Sequence, residues 1–409
     1  MTSRTALVAA ALAVLAGCAK LDSVPRNAIQ DCNLTVTPGV AATDILFVVD
    51  DSTSMGNKQT LLKNGLYQFI QALSSSPIAE NYQIGVTTTS VLGWNDSENT
   101  YVTGPSAGVP YAAGTIVAIA RDGSGNPIPG DFVYASGAYG GSRILGSGQA
   151  SLVPDFEANV LVGVDGSNRE EPFRAARLAL EKAAPGGPNA GFLRPGARLA
   201  IVFLSDEDDC SGPSSPYILD SAGCRAAKTT GLLTPVSDVA AFLQGPIDGE
   251  VRDVVLGAIV GVAPGTSLLS CGGSWCTGLP GGNACSTATD AGARFLELLG
   301  HFPADHTMVG SICDTNFAAA LSGLADVIMP DTLPLSGAPA DWRMLVASLQ
   351  RPGVGTVPCN IALGGTAGAA TADAVYQPPQ SGSPATLTFQ NACAIQRGDT
   401  VDVKVICAG

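Results

Sequence analysis

The segment Asp44-Ile45-Leu46-Phe47-Val48-Val49-Asp50 limits the fold more than any other, because five consecutive apolar residues between acids leave no position to turn toward water. A strand of this kind has both faces covered, as in a parallel sheet flanked by helices. A helix is then expected next, and from Lys58 to Leu73 the residues Leu62, Leu66, Phe69, Ile70 and Leu73 recur every three to four positions. Tyr82 to Val91 reads as the following strand. The alternation continues with a helix over Glu171–Lys182, a strand over Leu199–Leu204, a helix at Val239–Leu243 and a strand at Val254–Val262. A helix at Ala293–Leu299 and another through Phe317, Leu321, Leu324 and Ile328 complete it. The pattern predicts a doubly wound, mostly parallel α/β sheet over residues 42–332. A chain of 409 residues that is 46% hydrophobic has ample material for such a core.

Two stretches break the alternation. Residues 92–160 are rich in Gly, Ser and Asn, and carry β-like pieces at Thr115–Ile119 and Phe132–Tyr134 around Asp122–Asn126, which reads as an inserted β hairpin. Residues 333–409 turn to Pro- and Gly-rich texture with strand-like pieces at Met344–Leu349, Ala385–Phe389 and Val401–Ile406, a small β module. At the other end, Arg4 precedes an apolar run from Ala6 to Ala16 that ends in Leu15-Ala16-Gly17-Cys18. The run is too short for a permanent span. The tetrapeptide resembles a bacterial lipobox, which implies a signal peptide over 1–17, acylation of Cys18 and a lipidated tether over 18–41. Ala19 rather than Asp follows the cysteine, which by resemblance to Gram-negative lipoproteins points to the outer membrane.

Beyond Cys18, ten of the eleven cysteines remain, and an even number in an exported chain points to disulfides. Cys210 with Cys224, and Cys393 with either Cys359 or Cys407, would close local loops, while the overall connectivity stays open. The rival is a zinc site at Cys271-x4-Cys276-x8-Cys285 with His301 or His306, whose spacing matches no common zinc knuckle.

The chemistry concentrates where the first strand ends, in Asp50-Asp51-Ser52-Thr53-Ser54, a D-x-S-x-S pattern. A carboxylate and two hydroxyls at alternate positions of a tight turn present hard oxygen donors suited to Mg2+, Ca2+ or Mn2+. Helix capping by Asp50 and Ser52 is the plainer role of the same residues. With its placement between a buried strand and an amphipathic helix, the motif resembles the von Willebrand factor A family and its metal-ion-dependent adhesion site. The resemblance maps the second carboxylate onto Asp206, at the end of Ile201-Val202-Phe203-Leu204-Ser205-Asp206. It maps the distant Thr onto Ser167 of Gly166-Ser167, a departure that keeps the hydroxyl. In that family serines and Thr lie at the ion, acids often act through water, and a partner's carboxylate fills an open position. The acidic run Glu207, Asp208 and Asp209 reads as a solvated rim, with a secondary calcium ion as the alternative.

The resemblance therefore implies a membrane-tethered, extracytoplasmic protein of the cell envelope. It would bind a protein ligand through a divalent metal, most simply Mg2+, at Asp50, Ser52, Ser54, Ser167 and Asp206. The insertion would shape the ligand surface. Two rivals stand beside it, an envelope scaffold that uses the fold without metal and a metal-assisted hydrolase. Catalysis is not expected: the chain holds only His301 and His306 as histidines, neither beside a Gly-x-Ser-x-Gly elbow, and no Walker A, H-E-x-x-H or dinucleotide glycine motif. A formal net charge of -14 repels phosphate backbones, so nucleic acid is not expected as a partner.

Overall fold

A computed structural model describes residues 41–406 except 78–79, 96–99, 104–129, 133–142, 165, 168, 213–223, 225–226, 229, 265–284, 340, 381–383 and 397. The signal segment, Cys18, the tether up to residue 40, the pieces Thr115–Ile119 and Asp122–Asn126, and Cys32, Cys271, Cys276 and Cys407 lie outside the described residues.

The apolar run is strand β1 (Ala41–Val49), which leads through a 3-10 turn at Thr53–Met55 into α1 (Gly56–Ser74) and then β2 (Glu80–Thr88). A hairpin of β3 (Leu92–Asn95) and β4 (Thr100–Thr103) leaves from the carboxyl end of β2. The chain returns through β5 (Leu145–Gly146), α2 (Leu152–Asn159), α3 (Pro172–Glu181) and β6 (Arg198–Leu204). Next come α4 (Val236–Gln244), the short pair β7 (Pro246–Ile247) and β8 (Glu250–Val251), and β9 (Val254–Val260). Helix α5 (Ala293–Leu299), β10 (Thr307–Ser311) and α6 (Ala318–Ile328) end this part.

These strands form a six-stranded sheet in the order β10-β9-β6-β1-β2-β5, in which β5 alone runs antiparallel to its neighbour. Side chains alternate across a strand. Ile45, Phe47 and Val49 thus enter one core with α1, α2 and α6, while Leu46 and Val48 enter a second with α3, α4 and α5. Each face carries an aromatic trio: Phe47 meets Phe69 and Phe156 at ring distances of 5.7 and 5.0 Å, and Phe173 meets Phe203 and Phe295 at 5.5 and 5.3 Å. Two apolar faces explain why the run Ile45–Val49 of β1 spares no position for a polar residue. No described helix is long and apolar enough to cross a membrane.

Sheet architecture resumes by residue 145, inside the 92–160 span read as an insertion, because β5 pairs with β2 and Phe156 of α2 is buried in the core. Phe132 belongs to no strand. It packs edge-on against Phe192 at 4.7 Å, above Gly85, where an added Cβ would fall 2.4 Å from the Phe132 ring. Strand β10 has no counterpart in the sequence reading, since its five residues include a glycine and show no clear alternation.

The C-terminal region holds β11 (Thr332–Leu335), β12 (Leu345–Arg351), β13 (Gly355–Cys359), β14 (Ile361–Leu363), β15 (Ala374–Gln377), β16 (Ala385–Phe389) and β17 (Thr400–Val405). They form two sheets, β11-β16-β15-β14 and β13-β12-β17, whose inward residues share one core that also takes in Ala41. The protein is thus a mixed, mostly parallel α/β sheet joined to a disulfide-stapled β region. Cys359 pairs with Cys393, Cys210 with Cys224 and Cys285 with Cys313. The last pair removes Cys285 from the zinc arrangement.

Candidate oxygen-donor site at the carboxyl ends of the strands

In an open parallel sheet the strand ends diverge where successive connections leave in opposite directions, and that crevice gathers ligands. Here it lies between β1 and β6. Val49 is in register with Leu204, and the Asp50 amide donates to the Leu204 carbonyl at 2.9 Å, so the residues that follow both strands emerge side by side.

Four of the five metal-ligand candidates meet there. The Ser54 hydroxyl donates to Asp206 Oδ1 at 2.9 Å, and the Ser52 and Ser54 hydroxyl oxygens are 3.1 Å apart. Asp50 is fully buried and accepts from the Ser52 amide at 2.8 Å and from the Ser205 hydroxyl at 2.6 Å. The Asp206 carbonyl accepts from the amides of Thr289 and Asp290, tying the loop after β9 to the same point. Ser52 makes no side-chain cap to the helix, which removes the plainer capping role for that hydroxyl. The donors are all hard oxygens, and neighbouring ligands of an octahedral ion with bonds of about 2.1 Å sit about 3 Å apart. The set thus fits a small divalent cation. Among the described residues no three His, Cys, Asp or Glu side chains converge as a metal cage, so such an ion would depend on the serine hydroxyls.

Ser167 is buried one strand away. Its amide donates to the Ser90 hydroxyl at 2.8 Å and its own hydroxyl accepts from the Arg169 amide at 3.0 Å. Its loop is nonetheless pressed against the motif: the Gly166 amide donates to the Asp51 carbonyl at 2.7 Å and the Thr53 hydroxyl donates to the Val164 carbonyl at 3.2 Å. A Cβ on Gly166 would fall 2.3 Å from Asp51 Cγ, so only glycine permits this approach.

Several residues that shape the site carry no motif of their own. Gln59 of α1 donates to the carbonyls of Asp50 and Gly163 at 2.9 and 2.7 Å, clamping two loops together. Asp51 accepts from the Ser90 hydroxyl at 2.8 Å, and Glu170 takes a short hydrogen bond from Thr89. Burial pushes the Asp50 and Asp51 carboxyls above the usual range, and for Asp206 the Asp50 charge adds to burial. Glu170 is raised well above the usual carboxylate range, by burial and then by the charges of Asp50, Asp51 and Glu207. The duplicated Asp50-Asp51 and Glu170-Glu171 pairs are the only sequence hint, and acidic pairs are ordinarily solvated.

Glu207, Asp208 and Asp209 are not a solvated rim. They are 8%, 2% and 0% exposed. Asp209 accepts from the Phe173 amide at the start of α3 and pairs with Arg294 at 3.0 Å. Asp208 accepts from the Arg294 amide at the start of α5 and pairs with Lys228. Free amides at helix starts and nearby cations account for burying these acids.

Beside Ser54 and Asp206 opens a cleft of about 930 Å³, lined also by Asn57, Lys58, Thr287 and Thr315. Lys58 is its cationic wall, with Nζ donating to Thr287 Oγ1 at 2.9 Å and to the Ile312 carbonyl at 2.5 Å.

No protein-family model matches the chain, and no curated protein matches it. Similar solved structures include proximal thread matrix protein 1 from the mussel byssus, at 11% identity and a TM-score of 0.27, covering 72% of this chain and 49% of that one. Another is the pilus adhesin SpaC from Lactobacillus rhamnosus GG in its open conformation, at 12% identity and a TM-score of 0.33, covering 90% of this chain and 39% of that one. The chain spans about half or less of the structures it matches, and superpositions this loose bear on neither fold nor function.

Proposed function

We propose that the protein is an extracytoplasmic binding protein of the von Willebrand factor A type that engages a protein ligand through a divalent cation held at Asp50, Ser52, Ser54 and Asp206. The observation that carries this reading is the chain of hydrogen bonds at 2.6 to 3.1 Å joining the ends of β1 and β6. The strand order supports the doubly wound assignment, because the six main strands taken in chain order lie 3-2-1-4-5-6 across the sheet. When bound, the ion would offer positive charge to an acidic side chain of the ligand. Asp50, held by Ser52 and Ser205, would orient the serines and balance that charge, and Asp206 would supply the second carboxylate. Ser167 would border the site from its loop, which the Gly166 amide and the Thr53 hydroxyl hold against the motif. The adjoining cleft gives the ligand a seat, and the hairpin leaving the end of β2 borders the same face.

The disulfides support an oxidising compartment. Acylation at Cys18 would tether the chain to the outer membrane.

A metal-free envelope scaffold is the second reading. It is favoured by the way Ser54, Asp206, Ser205 and Asp50 already satisfy one another, and by the lack of a His, Cys, Asp or Glu cage among the described residues. Calorimetry on the full chain separates the two. Saturable heat with Mg2+, Mn2+ or Ca2+ that disappears in Asp50→Ala is the expected result. No heat from the unaltered chain hands the site to the scaffold reading. Turnover of an ester or glycan that is lost in Asp206→Ala would instead mark a hydrolase.

A further inference from the structure

A second group of oxygens lies across β1 from the first. Asp50 is bonded toward β6 through Ser205, whereas Asp51 is bonded toward the end of β2 through Ser90 and Thr89. Asp51 Oδ1 accepts from the Ser90 hydroxyl at 2.8 Å and from the Thr89 hydroxyl at 3.4 Å, and that same Thr89 hydroxyl donates to Glu170 Oε2. A hydroxyl has one proton to give, so Thr89 cannot satisfy both carboxylates at once. Asp51 and Glu170 are 0% and 1% exposed, and Asp51 Oδ2 and Glu170 Oε1 are buried without a hydrogen-bond partner. Among the described residues neither carboxylate is ion-paired with a Lys, Arg or His. Two acids at van der Waals depth, linked by one hydroxyl and each with an orphaned oxygen, lack a positive charge between them.

We propose that Asp51, Glu170 and Thr89 form a second cation site, taking a hard divalent ion such as Ca2+, with Ser90 as the positioning residue that fixes Asp51. Its charge balances, since one divalent ion neutralises two carboxylates, and all its donors are oxygens. It shares no side chain with the Asp50, Ser52, Ser54 and Asp206 set, so substitutions in one leave the other's donors in place, and the two sites feel each other through the Asp50 charge. A proton shared between the two acids is the rival occupant.

Equilibrium dialysis of the full chain against Ca2+ or Mn2+, followed by elemental analysis, counts the ions. About two per chain are expected in the unaltered protein, with one remaining in Glu170→Gln and one in Asp206→Asn. An unchanged count in Glu170→Gln overturns the proposal. So does a single ion in the unaltered chain that vanishes in Asp206→Asn, which leaves the first site standing and gives Asp51 and Glu170 to a proton. A count that drops in Glu170→Gln but not in Asp206→Asn supports the second site and sinks the first. Melting adds an independent readout: Glu170→Gln should raise Tm in EDTA and shrink the rise that Ca2+ produces. Should that variant fail to fold, Thr89→Val, which leaves the charges alone, should weaken one of two Ca2+ affinities at least tenfold; two unchanged affinities overturn the assignment.

Discussion

Gln59 and Gly166 show how much of the site depends on residues that donate nothing to an ion. Gln59 spans the turn after β1 and the loop before α3 with two hydrogen bonds, and Gly166 lets those segments touch. Gly166→Ala places a methyl group 2.3 Å from Asp51 Cγ, which must push the loops apart. Overpacking of this kind costs about 1–3 kcal/mol. Chemical denaturation should report a loss of that size, with weaker cation heats from the surviving fold. At this scale the sequence disclosed what short-range pattern encodes: Asp50, Ser52, Ser54 and Asp206 each follow an apolar run and were legible. Asp51, Thr89, Glu170 and Gln59 were not, because what makes them matter is a partner far along the chain, and an acid pair or a lone glutamine looks like surface until its neighbours are placed.

Elements with two apolar faces could be read directly. The run in β1 and the repeats in α1 and α6 follow from covering both sides of the sheet, and the aromatic trios show that both sides are filled. Short elements escaped for the converse reason. Strand β10 and the β3–β4 hairpin are five residues or fewer per strand, too short for a hydrophobic period to stand out. Among the connections, Cys285–Cys313 joins the segments that follow β9 and β10 and wall the cleft. It closes a separation of 28 residues, which in the chain-entropy account restricts the unfolded chain by about 3–4 kcal/mol. The double change Cys285→Ser, Cys313→Ser should lower unfolding free energy by roughly that amount. If the variant melts like the parent, the bridge lies in a segment that opens independently of the sheet.

At the pole opposite the site, a polar cluster joins the sheet to the start of the C-terminal region. Arg198, at the start of β6, donates to Asp331 at 3.0 Å, to the Met329 carbonyl at 2.8 Å and to Asp253 at 2.7 Å, and His306 meets Asp253 at 2.9 Å. The hydrogen bond to Asp253 pushes His306 from 6.5 up to about 9. Asp253 is held down from 3.8 to about 2, where the His306 bond and the Arg198 charge outweigh burial. A raised histidine stabilises fully below 6.5 and its contribution is lost as pH rises through about 9; a depressed aspartate stabilises above 3.8 and is lost as pH falls through about 2. Glu171, Asp51 and Asp206, each pushed to about 7 by burial, bring their own losses as pH rises to that value, so the histidine is isolated by comparing the unaltered chain with a His306 variant. Between pH 7 and 9, Tm should fall more in the unaltered chain than in His306→Gln; parallel curves would remove His306 from the junction.

The same polarity has a mechanical side. β1 begins at Ala41, against the C-terminal β region, and its nine residues, at about 3.3 Å each, carry the chain about 30 Å to Asp50. A tether pulling at Ala41 and a ligand pulling at the opposite tip would load this central strand along its own axis. Its ladders to β2 and β6 would then be strained all together instead of being unzipped one rung at a time.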